Sequence, residues 1–471
     1  MDISSSNSRL NGCIQVPGSK SHTIRSLILA LLADGTSVIE NPLVSADSMS
    51  TLECIKLFGA KVVRSSDDKI WHITCARENL HLPDDVVNVG NSGSALYFLA
   101  PLAACFSGRS AFTGDESIRK RPVNHLKDAL MQLGAKAYTR DAHTDAPPLF
   151  ICGGIPELPN EIAITTDGAL SQYISGIMMA SMLLRQHITL TLTNPKETPF
   201  LAMTRERLSQ IGYPMEASSD WTHIALSAAE HRYAPFRNVT PSDWEAAAFP
   251  LVAAFITNST LTITHIDTSD TQGDKAVVGI LQQMGAVIDY ESKCESNESE
   301  SKYESNDLVI RGRGTPTCTD ALRVNISGFP DALPALCIAA VFFGGVTLLE
   351  DAAVCRKKET DRISAMHNAL TALGVKIETT ADSMRIYGLG ENAPEVLGSA
   401  PESALVIDSL GDHRIAMAFL TLGLALPAGK KLLVQGAQCC AVSFPDFVKN
   451  MQNMGASMQE SNHRPHGQHG R

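Results

Sequence analysis

The sequence predicts an α/β protein of two domains assembled from six similar units. Three observations lead there. First, its 471 residues exceed what one core organises, since cores stop growing at about 250–300 residues. Second, an apolar residue followed by Gly, usually then Ala or Val, closes one helix-like stretch after another. It reads Phe58-Gly59-Ala60, Leu133-Gly134-Ala135, Ile211-Gly212-Tyr213, Met284-Gly285-Ala286, Leu373-Gly374-Val375 and Met454-Gly455-Ala456. Third, the Gly-to-Gly spacings of 75, 78, 73, 89 and 81 residues are near-even, as internal repeats require. Glycine suits that place because the residue after a helix takes a left-handed conformation at little cost without a Cβ.

Each unit holds two helices and several strands. The helix after Ser19 is the clearest, with Ile24, Leu27, Ile28 and Leu31 on one face and Gly35 as its predicted end. Strands are predicted at 37–40, 61–64, 188–193 and 261–265, and Ala335–Phe343 reads as a short buried element. The longest interval has a visible cause in residues 291–306, an acidic low-complexity insertion too poor in apolar residues to fold. A polar, His-rich tail, predicted disordered, follows at 459–471.

Hydrophobic residues make up 44% and charged residues 19%, as in ordinary globular chains. A net charge of −11 argues against a nucleic-acid partner, so any anionic ligand must be held by local cations. The first ten residues are polar and Ser-rich, with no secretory pattern, and no apolar run reaches about 18 residues. Eleven cysteines without a C-x-x-C pair read as reduced thiols rather than a disulfide or metal framework. A cytoplasmic protein without a membrane partner is therefore expected; a monomer without metal or cofactor is a separate expectation.

Six segments could carry chemistry. Lys20-Ser21-His22-Thr23-Ile24-Arg25 opens a helix, where free N–H groups favour an anion, and Ser21 and Arg25 share a face. Gly90-Asn91-Ser92-Gly93 lets a ligand approach the backbone, though an ordinary turn fits as well. Arg119-Lys120-Arg121-Pro122 suggests phosphate or carboxylate binding, with Pro122 able to open the next helix. Asp331 precedes an apolar helix and could cap it. In Arg356-Lys357-Lys358-Glu359-Thr360-Asp361-Arg362, helical spacing would put Glu359 beside Lys358 and Arg362 and fit it for proton transfer; a surface salt-bridge ladder is the plain alternative. In Gly411-Asp412-His413-Arg414, Asp412 can cap a helix whose first turn carries His413 and Arg414.

Together and in order, these motifs, with Gln272-Gly273-Asp274 and Phe444-Pro445-Asp446, resemble the enolpyruvyl transferases of the 5-enolpyruvylshikimate-3-phosphate synthase type, over roughly residues 12–448. The resemblance implies the two-domain enolpyruvyl transferase fold of six βαβαββ repeats, of the inside-out α/β barrel type. Residues 20–240 would form a continuous domain with three repeats, and 1–19 plus 241–456 a discontinuous one with three. It implies transfer of the enolpyruvyl group of phosphoenolpyruvate to the 5-hydroxyl of shikimate 3-phosphate, with release of phosphate, on the route to chorismate and aromatic amino acids. Lys20, Ser21, Arg25, Ser171, Gln172, Asp331 and Lys358 would hold shikimate 3-phosphate. Lys20, Asn91, Gly93, Arg121, Gln172, Arg362 and Arg414 would hold phosphoenolpyruvate. Asp331, Glu359 and Lys20 would be catalytic. The family also implies a cleft held open by like charges that closes on its ligands.

The chain departs from the family where Tyr97 and Val442 replace cations that face phosphoenolpyruvate. Glu197 and Phe200 replace a Ser and a Tyr on the shikimate side, Val354 replaces an Asn, and the segment before Ser171-Gln172 is one residue shorter. Weak phosphoenolpyruvate affinity and low glyphosate sensitivity are expected, unless Lys120 or Lys357 compensates. Two alternatives remain: a catalytically weak paralogue that binds a phosphorylated ligand, and a UDP-N-acetylglucosamine enolpyruvyl transferase. Against the latter, Glu116 stands at the place of that family's acid Cys, and Ser21 follows Lys20 where it prefers Asn.

Overall fold

The computed structural model describes residues 1–140, 144–154, 161–229, 232–292, 305–318 and 321–461. The helices pair off along the chain: α1 (Lys20–Leu32) with α2 (Ala46–Leu57), α3 (Gly93–Ala104) with α4 (Asn124–Gln132), α5 (Ser171–Ala180) with α6 (Thr198–Gln210), α7 (Trp244–Ile256) with α8 (Ala276–Gln283) and α9 (Leu333–Phe342) with α10 (Arg362–Ala372). After the short α11 (Ala393–Gly398) come α12 (His413–Gly423) and α13 (Phe447–Asn453).

The first helix of each pair is apolar nearly all round and buried, whereas the second is amphipathic or half-exposed. The six predicted glycines follow α2, α4, α6, α8, α10 and α13, with φ of 107°, 103°, 81°, 104°, 90° and 97°. Ser19, Ser45, Ser92, Asp243, Asp361 and Asp412 cap helices by accepting backbone N–H bonds. α1 stops at Leu32, earlier than expected, because Gly35 (φ 135°) already begins the strand Gly35–Glu40.

The strands of each unit, interleaved with its helices, make up most of a four-stranded sheet, six in all among the described residues. In the fifth, Ala321–Asn325 runs parallel to Val346–Glu350, which pairs antiparallel with Met384–Tyr387, itself antiparallel to Ile377–Thr379. The same order recurs in all six, but three sheets borrow a strand from far along the chain. Arg237–Val239 pairs with Gly35–Glu40, Cys13–Ile14 with Thr260–Asp267, and Asp2–Ser6 lies between Lys431–Gln435 and Ser457–Ser461.

Two separate apolar cores result. One gathers Ile24 to Tyr233, the other Ile3 to Val16 together with Trp244 to Met458. The chain passes between them twice, and the two passes are bonded to each other: Ser19 N–H donates to Pro241 O (2.8 Å) and Asp243 N–H to Pro17 O (2.9 Å). Gln272 braces this crossing by accepting from Trp244 N–H and donating to Ser242 O, each at 2.9 Å.

Two boundaries differ from expectation. The insertion is narrower than 291–306, because Glu291–Ser292 and Ser305–Asn306 belong to paired strands, with Ser292 opposite Asn306; 293–304 lie outside the described residues. Likewise, Gln459–Ser461 are not part of a loose tail, since the backbone of Asp2–Ser4 offers them a ladder of hydrogen bonds; 462–471 lie outside the described residues. Ten cysteines among the described residues are free thiols.

Two of the six glycines separate conformational strain from collision. A Cβ at Gly212 meets nothing within 4 Å, whereas one at Gly59 falls 2.1 Å from the Asn79 carbonyl oxygen. Gly212→Ala should cost about 1 kcal/mol from its positive φ alone, and Gly59→Ala about 3 kcal/mol or more because backbone must shift. Urea unfolding midpoints measured side by side check this order.

Candidate active site

The inner helices direct their N-terminal ends at one cleft between the two cores. A cavity of about 50 Å³ is lined by Lys20, Ser21 and Arg25 of α1, Gly93 and Ser94 of α3, Ser171 and Gln172 of α5 and Glu245 of α7. Asp331, Lys358, Glu359, Arg121, Asp47, Glu197 and Phe200 complete the lining. Helix N-termini bring unpaired N–H groups and positive potential, which suits anionic ligands.

The centre is Arg362, wholly buried at the start of α10. Its guanidinium donates to Asp331 Oδ1 (2.6 Å), Glu359 Oε2 (2.7 Å) and Asp412 Oδ2 (2.8 Å). Asp331 also meets Lys358 Nζ (3.3 Å), and Glu359 Oε1 accepts from Arg121 Nη2 (2.6 Å). Asp331 makes no capping bond to α9; its carboxylate belongs to the cleft.

Burial alone would push Asp331 and Glu359 up. Lys358 and Arg362 outweigh it at Asp331, and Arg121 and Arg362 at Glu359, so both are held below the usual carboxylate range. Burial opposes the charge of Lys358 too, but Asp331 and Glu197 raise it. Asp274, whose carboxyl oxygens have no hydrogen-bond partner, is pushed well up by burial and by Asp331 and Asp243.

The other predicted residues sit close by. Lys20 Nζ lies 3.5 Å from Asp47 Oδ2. Arg25 is buried and donates to Thr204, Ser175, Phe200 O and Ser21 O. Gln172 donates to Ser94 Oγ (3.0 Å). A Cβ at Gly93 would lie 2.5 Å from Arg121 Nη1, so any other residue there must displace that guanidinium. Asn91 does not line this cavity; it donates to Asp115 (2.7 Å). Arg414 is buried against Glu245.

Some expectations need correction. The Arg356–Arg362 segment is not one helix: a 3-10 turn ends at Lys357 and α10 begins only at Arg362, because Asp361 caps it. Glu359 and Arg362 still meet. Pro122 does not open α4, which starts at Asn124. Lys120 offers no substitute cation, as it pairs with Glu116 at the surface. Lys357 is exposed and lines a neighbouring cavity of about 110 Å³ with Tyr97 and Val354. Tyr97 is buried and donates to Pro122 O (2.8 Å).

The cleft is not held open by like charges. Arg121–Glu359, Lys358–Glu197 and Lys196–Asp351 join residues attached to different cores. Sequence reasoning missed the acids Asp47 and Glu245 as partners. Glu245 left one signal, the only charge in a thirteen-residue apolar helix.

No group of His, Cys, Asp and Glu among the described residues could hold a metal ion, and no helix is long and apolar enough to cross a membrane.

Six α/β units with catalytic-type carboxylates and cations converging between two cores define the enolpyruvyl transferase class. An EPSP synthase from Acinetobacter baumannii superposes with a TM-score of 0.77 at 27% identity, covering 98% of this chain and 100% of that one. The enolpyruvyl transferase NikO from Streptomyces tendae, at 16% identity and a TM-score of 0.72, shares the fold over 97% of this chain and 98% of its own. A 3-phosphoshikimate 1-carboxyvinyltransferase of Ruminiclostridium cellulolyticum is 34% identical over 96% of this chain and 98% of its own length. One of Methanococcus aeolicus is 31% identical, again over 96% and 98%. The family model for EPSP synthase (3-phosphoshikimate 1-carboxyvinyltransferase) matches residues 5–451, and the chain belongs to that family.

His413 supplies a pH test. Burial first, then Lys20, lowers its pKa from 6.5 to about 4, and neither ring nitrogen has a protein partner. Folded protein therefore binds fewer protons here than unfolded protein between those values. Stability present above pH 6.5 is lost as pH falls toward 4, by up to about 3 kcal/mol. His413→Asn should flatten that slope, as read from urea unfolding at pH 7 and pH 4.5.

Proposed function

We propose that this chain transfers the enolpyruvyl group of phosphoenolpyruvate to the 5-hydroxyl of shikimate 3-phosphate and releases inorganic phosphate. The observation that carries the reading is the pair of partly buried carboxylates, Asp331 and Glu359, held by one guanidinium and flanked by Lys358 and Arg121. Asp331 takes the proton of the attacking hydroxyl as its oxygen bonds to C2 of phosphoenolpyruvate. Glu359, with Lys20 beside it, delivers a proton to the C3 methylene, giving a tetrahedral intermediate. Glu359 then takes a C3 proton back as the C2–phosphate oxygen bond cleaves, which restores the double bond, and the proton held by Asp331 leaves with the released phosphate.

At rest both acids are too strongly paired to be good bases. Substrate anions that recruit Lys358, Arg121 and Arg362 release them and raise their basicity toward working pH. Lys20, Ser21, Arg25, Ser171, Gln172 and Lys358 hold the acceptor in this scheme. Lys20, Asn91, Gly93, Arg121, Gln172, Arg362 and Arg414 hold phosphoenolpyruvate, which requires Asn91 to leave Asp115. Guanidinium and ammonium groups meet the developing charge, so the scheme asks for no metal or cofactor. We assign the moving bodies to 20–240 and to 1–19 plus 241–456, joined at the bonded crossing, and the chain acts as a cytoplasmic monomer.

One observation favours a second reading, a weak binding paralogue: Arg414 already has an acid, Glu245, as its partner. Phosphate release separates the two. Release should require both substrates and fall by about 10²–10⁴ in kcat with Asp331→Ala or Glu359→Gln. No release from folded protein at millimolar phosphoenolpyruvate, with shikimate 3-phosphate still bound, would favour the paralogue.

Val442→Lys restores a cation on the phosphoenolpyruvate side. A charged hydrogen bond of about 1.5–3 kcal/mol predicts at least a 10-fold lower KM for phosphoenolpyruvate and greater sensitivity to glyphosate. Steady-state kinetics of the variant checks both.

A further inference from the structure

Three donors of this cleft already hold an anion from the chain itself. Ser171 opens α5, and its backbone N–H and its Oγ both lie 3.0 Å from Glu197 Oε2. Lys358 Nζ donates to the other oxygen, Oε1, at 2.7 Å. Glu197 is buried, and its carboxylate fills this three-donor cradle. The backbone aims it there: Glu197 has φ 51°, stands just before α6 with Pro199 in the first turn, and its N–H is tied to Ser327 O (2.8 Å).

A buried ion pair is a poor way to gain stability, since desolvation consumes most of the attraction. Here the pair also spends the donors that an anionic ligand would need. Phe200 and Val354 offer no side-chain hydrogen-bonding group, and Lys358 is further shared with Asp331.

We infer that Glu197 is a specificity-determining residue that competes with the acceptor's phosphate for the Ser171–Lys358 cradle. The inference rests on the reading that the acceptor's phosphate is directed to this cradle. A phosphate dianion enters only when Glu197 withdraws, so the phosphorylated acceptor gains less over its unphosphorylated counterpart than an open cradle would give. Glu197 thus narrows the preference for phosphate without touching the reacting hydroxyl.

Isothermal titration of shikimate 3-phosphate and of shikimate into the full-length protein, Glu197→Ser and Glu197→Gln tests this. Glu197→Ser empties the cradle, while Glu197→Gln keeps shape and removes charge. Both variants should bind shikimate 3-phosphate about 10-fold or more tightly than wild type, as freeing one charge-assisted hydrogen bond allows. Shikimate should change less than about 3-fold, as expected where no phosphate contact is involved. Unchanged or weaker shikimate 3-phosphate binding in both folded variants overturns the inference, as does equal tightening of both ligands or no binding by any form. Tighter binding without phosphate release from phosphoenolpyruvate would leave the inference standing and remove the transfer reaction. Phosphate release with unchanged affinities would remove the inference alone.

Discussion

The architecture around the cleft depends on burying the guanidinium of Arg362. A buried charge costs several kcal/mol unless it is paired and hydrogen-bonded. Asp331, Glu359 and Asp412 meet that demand from three places: the approach to α9, the approach to α10 and the cap of α12. Three segments must therefore pack so that these ends coincide. The network then crosses to the other core, through Glu359 to Arg121 and through Asp331 and Lys358 to Glu197. Position, charge and the join between the two cores are set by one connected group of ion pairs.

That group is close to electrically balanced. Lys20, Arg121, Lys358 and Arg414 face Asp47, Glu359, Glu197 and Glu245, and Arg362 faces three acids. Incoming anions must exchange partners with carboxylates already in place. Binding is then an exchange of ion pairs rather than neutralisation of a bare positive cleft, and its free energy is a small difference between large terms.

Much of the fold was legible because its signals are local. The glycine after each outer helix is dictated by backbone sterics, and Ser19 and Asp412 cap their helices through neighbouring N–H groups. Strands such as Lys61–Arg64 follow from the side-chain pattern of the segment itself. The insertion and tail limits were less legible, because Ser292, Asn306 and Gln459 take strand conformation only from partners supplied elsewhere. The cleft shows the same division. Lys20, Arg121, Asp331, Glu359 and Arg362 stand out as charged residues at or shortly before helix starts, and the structure gathers them. Glu197 was visible as a departure, but not as the partner of Lys358, 161 residues away. Asp47 looks like any acid in a first helical turn, and only tertiary packing sets it against Lys20.

The sixth sheet imposes an order on biosynthesis. Its inner strand, Asp2–Ser6, is synthesised long before both strands that flank it, Lys431–Gln435 and Ser457–Ser461. At about 5–20 residues per second, the strand waits on the order of 20 to 90 s for its neighbours. Throughout that wait Ile3 and an unpaired backbone edge are open to solvent and to other nascent chains. The polar sequence Asp2-Ile3-Ser4-Ser5-Ser6 carries a single large apolar side chain, and such a segment can remain soluble while it stands alone.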